Sequence, residues 1–233
     1  MARPLLPLAY LETFAEPGSP PGDPAVWIRG SASGDWARVP LRGGAPSPLD
    51  EPGAARPHPA WDLDAALGTA AAEAAGVVAR LSSRPSLAPR ERDLLARLGA
   101  LLGVRLQPLF AELPESEARE GVRVLTEMLG EMGWVFWEAR EPAFFITSSA
   151  PLALVVPSAA EGLLAEGDLR SPAAEVTLPL GPRLALLGTW ARRGEAWREA
   201  GDEVVAEVNA RTALRARRFL AAHHPGVPGW RWI

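Results

Sequence analysis

The sequence lacks cysteine and lysine altogether, and it has only one asparagine, one glutamine and one tyrosine. Without cysteine the chain has no disulfide bonds, no thiolate metal ligands and no cysteine nucleophile. Its 24 basic residues are all arginine, and against 28 acidic residues they leave a net charge of −4. A mildly acidic protein exerts no overall attraction on nucleic acids or anionic membranes, so charge alone favours neither as a partner.

The same biases indicate the source and the compartment. Ala, Gly, Pro and Arg dominate, as is typical of a GC-rich genome, and the scarcity of Asn and Gln suits a thermophile. A chain without cysteine fits the reducing cytoplasm, which is the expected location. The apolar residues 5–11 are interrupted by Pro7 and closed by Glu12, so we expect a buried segment rather than a signal peptide. No other apolar run is long enough to cross a bilayer.

Length and hydrophobic content bound the fold. The chain has 233 residues, 48% of them hydrophobic, which is enough for one domain with a substantial core. Helical and strand patterns occur in separate blocks rather than in alternation, which favours an α+β fold over a doubly wound parallel sheet. The predicted parts of the single domain (1–233) are an N-terminal arm with a hairpin (1–61), a helical part (62–132), a strand-rich part (133–190) and a closing helix (198–223).

The N-terminal arm is rich in proline and glycine, and it contains one hairpin pattern. Residues 25–29 and 36–41 are short strand-like segments on either side of the turn-forming residues 30–35. Pro40 has no N–H to donate, so the second strand is expected at the edge of a sheet. Residues 42–59 are predicted to form an irregular ordered wrap, and a disordered linker is the alternative.

The hydrophobic period changes from helical to strand-like in the middle of the chain. Three helices are predicted first: one from Asp62, one with Pro89 in its first turn and one capped by Ser116. The predicted strands that follow are residues 134–137, 144–148, 152–156, 176–180 and 184–188. They are expected to form one antiparallel or mixed sheet, with a hairpin at the Gly-Pro break between the last two.

Four short motifs follow one another along nearly the whole chain. They are Pro-Leu-Ala-Tyr-Leu-Glu-Thr-Phe at residues 7–14, Phe-Phe-Ile-Thr-Ser-Ser-Ala-Pro at 144–151, Leu-Pro-Leu-Gly-Pro-Arg-Leu-Ala-Leu at 178–186, and Val-Asn at 208–209 leading to Arg-Phe at 218–219. In order and spacing they resemble the motifs of the bacterial domain-of-unknown-function family 4238. The resemblance implies an architecture and supplies no activity.

The chain departs from the family pattern at positions suited to chemistry. The histidine pair that usually precedes the first proline is replaced by Arg3 and Pro4, and the Asp-Asn of the Phe-Ile-Thr-Ser-Asp-Asn-Pro signature by Ser149 and Ala150. General acid–base and metal chemistry need those missing residue types. We therefore predict a non-catalytic or catalytically degenerate binding or interaction domain, with no catalytic residue, metal ligand or cofactor assigned. Its partner is unknown, and a protein partner is compatible with this interpretation.

The alternative interpretation belongs to another functional class. A metal-assisted hydrolase, with nucleic acid as one substrate class, would use residues that no motif identifies. The sequence has no Gly-x-Gly-x-x-Gly and no Walker motif, so nucleotide binding has no support from a motif. Whether the protein is an enzyme therefore stays open at the level of the sequence.

Five residues at positions that match the family are candidate binding residues: Glu73, Arg105, Thr147, Ser148 and Asn209. Glu73 lies on the alanine-rich flank of the first long helix, where a carboxylate needs a partner, and Arg105 ends the next helix. Asn209 is flanked by valines on the inward side of the closing helix, so its amide can bond near Thr147 and Ser148. We expect the five to converge on one partly buried cluster that either staples helices to the sheet or binds a ligand.

The C-terminal third carries the alternative nucleic-acid site. Arg211, Arg215 and Arg218 are predicted to share one face of the closing helix. Glu207 precedes Arg211 by four residues, so a solvated face with helical ion pairs is the favoured interpretation. Upstream, the arginines at 192, 193 and 198 surround the tryptophans at 190 and 197, a composition that could hold phosphates and stack bases.

The histidines and the serines of the signature have simpler interpretations. His223 and His224 are adjacent and cannot easily face one ion from a helix, so a frayed, solvated helix end is favoured over a metal site. His58, between prolines, is expected in a loop. Ser148 and Ser149 are expected to cap a turn, because no Gly-x-Ser-x-Gly elbow surrounds them.

Overall fold

The computed structural model describes residues 5–20, 22–30, 34–42, 49, 63–106, 114–155 and 170–226. The helices are α1 (Leu8–Glu12), α2 (Leu63–Leu81), α3 (Pro89–Leu106), α4 (Glu115–Glu131) and α5 (Asp202–Arg215). The strands are β1 (Ala25–Gly30), β2 (Trp36–Pro40), β3 (Gly133–Ala139), β4 (Thr147–Ser148), β5 (Ala153–Val155), β6 (Glu175–Gly181), β7 (Leu184–Thr189), β8 (Glu195–Ala200) and β9 (Phe219–Ala222). Within these ranges no helix is long and apolar enough to cross a membrane.

These strands form two sheets, and the α+β prediction is confirmed. The smaller sheet has the order β2-β1-β9-β4 and is antiparallel throughout. The larger sheet has the order β5-β6-β7-β3-β8, antiparallel except for the parallel pair β3–β8. The expectation of a single sheet for residues 134–188 is therefore wrong. Only residues 147–148 of the predicted strand 144–148 are β-structure, and they pair with β9 in the smaller sheet.

The N-terminal hairpin is confirmed. Ala25 pairs with Pro40, and Arg29 pairs with Trp36. Because β9 occupies the other side of β1, β2 is an edge strand, where the missing N–H of Pro40 leaves no bond unmade. Of the predicted wrap over residues 42–59, residues 43–48 and 50–59 lie outside the described ranges. Leu49 is buried, and its carbonyl accepts a hydrogen bond from the N–H of Leu5.

The helices α2, α3 and α4 confirm the three predicted central helices, with one correction at a helix start. Ser116 does not cap α4. The helix begins at Glu115, its N-cap residue is Pro114, and no side chain forms a capping hydrogen bond there. Glu115 and Glu117 in the first turn instead complement the positive end of the helix dipole. The helix α3 packs against both α2 and α4. Gly103 makes the last turns of α3 closely packed, because a Cβ there would lie 2.8 Å from Leu152 Cδ2.

The predicted closing helix, residues 198–223, is wrong at both ends. Its first residues belong to β8, and residues 219–222 form β9, which leaves α5 as Asp202–Arg215. All four residues of β9 are buried between β1 and β4, so their apolar run has no strand-like alternation to distinguish it from a helix. The inward positions of Val205 and Val208 in α5 are confirmed, since each is 5% exposed.

The apolar N-terminal segment packs into the core, as expected. It also forms the short helix α1, which the sequence pattern did not predict. Leu6, Leu11 and Phe14 are almost wholly buried. They belong to a hydrophobic cluster that extends to Ala221 in β9 and includes residues of α2, α3, α4 and both sheets. This packing places α1 directly over the residues of the candidate site.

Candidate functional site

Tyr10 of α1 bonds to strands of both sheets. Its phenolic hydroxyl donates to the carbonyl of Pro179 in β6 at 2.7 Å, so the Thr147 hydroxyl of β4, 2.9 Å away, must be the donor in the bond between the two side chains. Tyr10 is 3% exposed and Thr147 is 0% exposed. Burial raises the pKa of Tyr10 well above its ordinary value, and the hydrogen bond with Thr147 offsets only part of this rise. The hydroxyl is therefore a neutral link between α1, β4 and β6.

Asn209 joins α5 to the segment that precedes β4. Its Oδ1 accepts a hydrogen bond from the N–H of Ile146 at 3.0 Å, and its Nδ2 donates to the carbonyl of Phe144 at 2.9 Å. One amide thus satisfies a backbone donor and a backbone acceptor two residues apart, as a neighbouring strand would. The strand-like segment 144–146 thus bonds to a side chain of α5 at both of its ends. Asn209 itself is 2% exposed.

The serine hydroxyls of the same segment cap backbone turns, as predicted. The Ser148 hydroxyl accepts a hydrogen bond from the N–H of Ala150 at 3.1 Å. The Ser149 hydroxyl accepts from the N–H groups of Arg217 and Arg218, at 3.0 and 3.1 Å. Both serines are buried. Ser149 therefore fixes the connection between α5 and β9.

The two remaining candidate residues are Glu73 and Arg105. Glu73 is exposed on α2, so the expectation that it is partly buried is wrong. The buried stripe of α2 runs through Ala70, Ala74 and Val77, and residue 73 lies about a quarter turn away from its centre. Arg105 lies in the last turn of α3, and only its backbone is described.

Thr147, Ser148 and Asn209 are brought together, and Tyr10 and Ser149 complete the group. We call these five residues the buried polar network. Tyr10 was not among the sequence candidates, although it is the only tyrosine of the chain and stands in the first family motif. That single occurrence was the signal available in the sequence.

The arginines of the alternative nucleic-acid site are engaged within the protein. Arg211 pairs with Glu207, as the sequence spacing predicted, and with Glu175 of β6 at 2.9 Å. Arg215 donates to the carbonyl of Leu154 in β5 at 3.0 Å. Arg218 lies beyond the end of α5, so the expectation that the three share one helical face is wrong.

His223 and His224 directly follow the strand β9, so the predicted frayed helix end is wrong. The rings of His223 and Phe144 pack edge to face, with centroids 4.5 Å apart. Burial lowers the pKa of His223, and the nearby His224 and Arg183 lower it further, against a smaller opposite effect of Glu141. His58 lies outside the described residues. Within the described part of the chain, no three His, Asp or Glu side chains are grouped so that they could hold a metal ion.

A surface cleft of about 660 Å³ lies between the end of α4 and the turn that connects β7 to β8. We call it the arginine cleft, and its lining includes Arg92, Glu131, Trp190, Arg192, Arg193 and Gly194. The sequence composition drew attention to Trp190 and the two adjacent arginines. It did not indicate Arg92, which comes from α3, some hundred residues earlier in the chain.

These features define an α+β protein with a buried polar network in its core and an arginine-lined cleft on its surface. Residues 75–225 match the model of the family described as "Protein of unknown function (DUF4238)". The match covers more than half of the chain, so the chain belongs to this family, and the resemblance is confirmed. The matched range includes the motifs at 144–151, 178–186 and 208–219, and it does not reach the motif at 7–14. No curated protein and no solved structure matches the chain.

Proposed function

We propose that this protein is a non-catalytic or catalytically degenerate binding domain. The observation that carries the proposal is the buried polar network. Its hydroxyl and amide groups come from the family motifs, and they are hydrogen-bonded to other groups of the protein rather than presented to solvent. Residues used in this way hold the fold together and leave the binding of a partner to the surface.

The chemistry of the individual groups supports the proposal. A general acid or base must reach its substrate and have a pKa near the working pH. Tyr10 is buried, and its pKa is raised away from neutrality. Ser149 accepts two backbone N–H bonds in the place of the family's aspartate, and Ala150 stands where the family has asparagine. Two positions suited to acid–base or metal chemistry thus carry groups suited to structure.

The alternative, a metal-assisted hydrolase, is separated from the proposal by experiment. The purified full chain is analysed for bound metals and screened for hydrolysis of phosphodiester and ester substrates with added divalent ions. We expect neither stoichiometric metal nor turnover. Metal-dependent turnover that Glu131→Gln abolishes would refute the binding proposal. The control is Glu117→Gln, an exposed residue of α4 that does not line the cleft.

We also propose that residues 1–233 act as one domain and that the protein works in the cytoplasm. The hydrophobic cluster that extends from Leu6 to Ala221 supports the first point, because a boundary inside the chain would cut it. The absence of cysteine supports the second.

A further inference from the structure

We infer that the arginine cleft binds a phosphate-bearing small molecule of nucleotide size. The inference rests on the proposed binding function and names the ligand class for it. It depends on two arginines held on a rigid turn, on the volume of the cleft and on the tryptophan in its wall.

The arginines of the cleft have different roles. Arg92 donates to the carbonyl of Gly130 at 3.3 Å and to that of Met132, and it pairs with Glu195 at 3.1 Å. Its guanidinium carbon also lies 4.1 Å from the centroid of the Trp134 ring. Arg92 is therefore a structural part of the wall, and its charge is balanced by Glu195.

Arg192 and Arg193 are the arginines of the cleft with donors to offer a ligand. Among the described residues neither forms an ion pair or a side-chain hydrogen bond. Arg192 is half-buried and Arg193 is exposed. Both residues line the cleft, so an anion placed there can gain charge-assisted hydrogen bonds from their guanidinium groups. Glu131 is the opposing charge at the cleft, which leaves a local excess of positive charge on a protein of net charge −4.

The turn that carries these arginines is fixed before any ligand arrives. The N–H of Trp134 donates to the Gly194 carbonyl at 2.8 Å, and Gly194 has a φ of +73°, which favours glycine. On the other side, a Cβ at Gly133 would lie 2.3 Å from the Arg192 carbonyl oxygen, so only glycine allows β3 to approach the turn so closely. Because the turn is rigid, binding costs less conformational entropy.

The size and the walls of the cleft favour a phosphate attached to a larger body. A volume of about 660 Å³ falls in the range of about 300–1,000 Å³ typical of small-molecule sites. Inorganic phosphate would fill only a small part of it. Trp190 is a half-buried aromatic wall residue, and an aromatic side chain can pack against the planar base or sugar of a nucleotide.

Calorimetry with the full chain tests the inference, using ATP and inorganic tripolyphosphate as probes without added metal. We expect both probes to bind, ATP more tightly. Arg192→Gln/Arg193→Gln should weaken both by about tenfold or more, the loss of one or two charge-assisted hydrogen bonds. Trp190→Ala should weaken ATP and leave tripolyphosphate unchanged. The charge-matched control Arg97→Gln/Arg217→Gln removes two exposed arginines that do not line the cleft and should bind both probes like the unaltered protein.

Several results would overturn the inference. They are no binding of either probe, equal binding by the Arg192/Arg193 variant, or an equal loss in the control variant. Tighter binding of a single-stranded oligonucleotide than of ATP would also overturn it, by assigning the cleft to nucleic acid. Thermal unfolding of each variant shows that it is folded. Hydrolysis of bound ATP would contradict the proposed non-catalytic function while leaving the site itself supported, so the two failures are distinguishable.

Discussion

Replacing Asn209 with leucine tests the structural role of the buried polar network. Leucine branches at Cγ as asparagine does, but it is larger and can make neither of its hydrogen bonds. The N–H of Ile146 and the carbonyl of Phe144 would then be left without their partner, in a region where both residues are at most 4% exposed. Each unsatisfied buried backbone group costs about 1–3 kcal/mol, so we expect a loss of about 2–6 kcal/mol in the free energy of unfolding.

The assay is urea denaturation followed by tryptophan fluorescence, with the free energy extrapolated linearly to zero denaturant. Thr212→Val is the matched control, because Thr212 is equally buried on the same helix and its hydroxyl donates to the carbonyl of Val208, one turn earlier. We expect the control to change stability by less than about 1 kcal/mol. A loss below about 1 kcal/mol for Asn209→Leu would refute the structural role.

Three further predictions concern pH, a glycine contact and the domain boundary. The pKa of His223 is lowered in the folded state, so the unfolded chain protonates this imidazole first as the pH falls below about 6.5. The protein should therefore lose stability below that pH, by at most about 1.4 kcal/mol per pH unit. His223→Gln should remove this part of the pH dependence. Gly133→Ala should lower the free energy of unfolding by about 1–3 kcal/mol and weaken ATP binding, because the added Cβ forces the turn at Arg192 to move. The control Gly76→Ala has open space around its Cβ and should raise the free energy of unfolding by up to about 1 kcal/mol. Limited proteolysis should release no stable fragment ending near Met132, because the hydrophobic cluster joins both sides of that position; such a fragment would show two domains.

The sequence predicted those elements whose pattern is local. The hairpin of β1 and β2, the helices α2, α3 and α4, and the hairpin of β6 and β7 each have their own period and turn residues, and all of them are confirmed. The strand β9 was mistaken for helix because its four residues are all buried, which removes the alternation that identifies a strand. The helix α1 is too short to show a period.

The candidate site was predicted only in part. Asn209 stood out because an isolated amide between inward-facing valines needs buried partners, and its two bonds are in fact to the backbone before β4. Its partners could not be deduced, because backbone groups have no signature in a sequence. Glu73 was misplaced because it lies beside the buried stripe of α2, about a quarter turn from its centre, and is exposed there. The arginine cleft joins residues of α3, α4 and the β7–β8 turn, and only the tertiary fold brings these together.

Ionisation of Tyr10 is the most direct measurement of the claim that the family motifs build the core rather than a catalytic site. Tyr10 is the only tyrosine, so the ultraviolet absorbance of tyrosinate during an alkaline titration reports on this residue alone. Burial raises its pKa above the ordinary value of 10.0, so stability should be lost as the pH rises past that value, and tyrosinate should form together with loss of the circular dichroism of the fold. Ionisation near pH 10 with the circular dichroism intact would contradict the claim, because it would show that the hydroxyl is open to solvent in the folded protein.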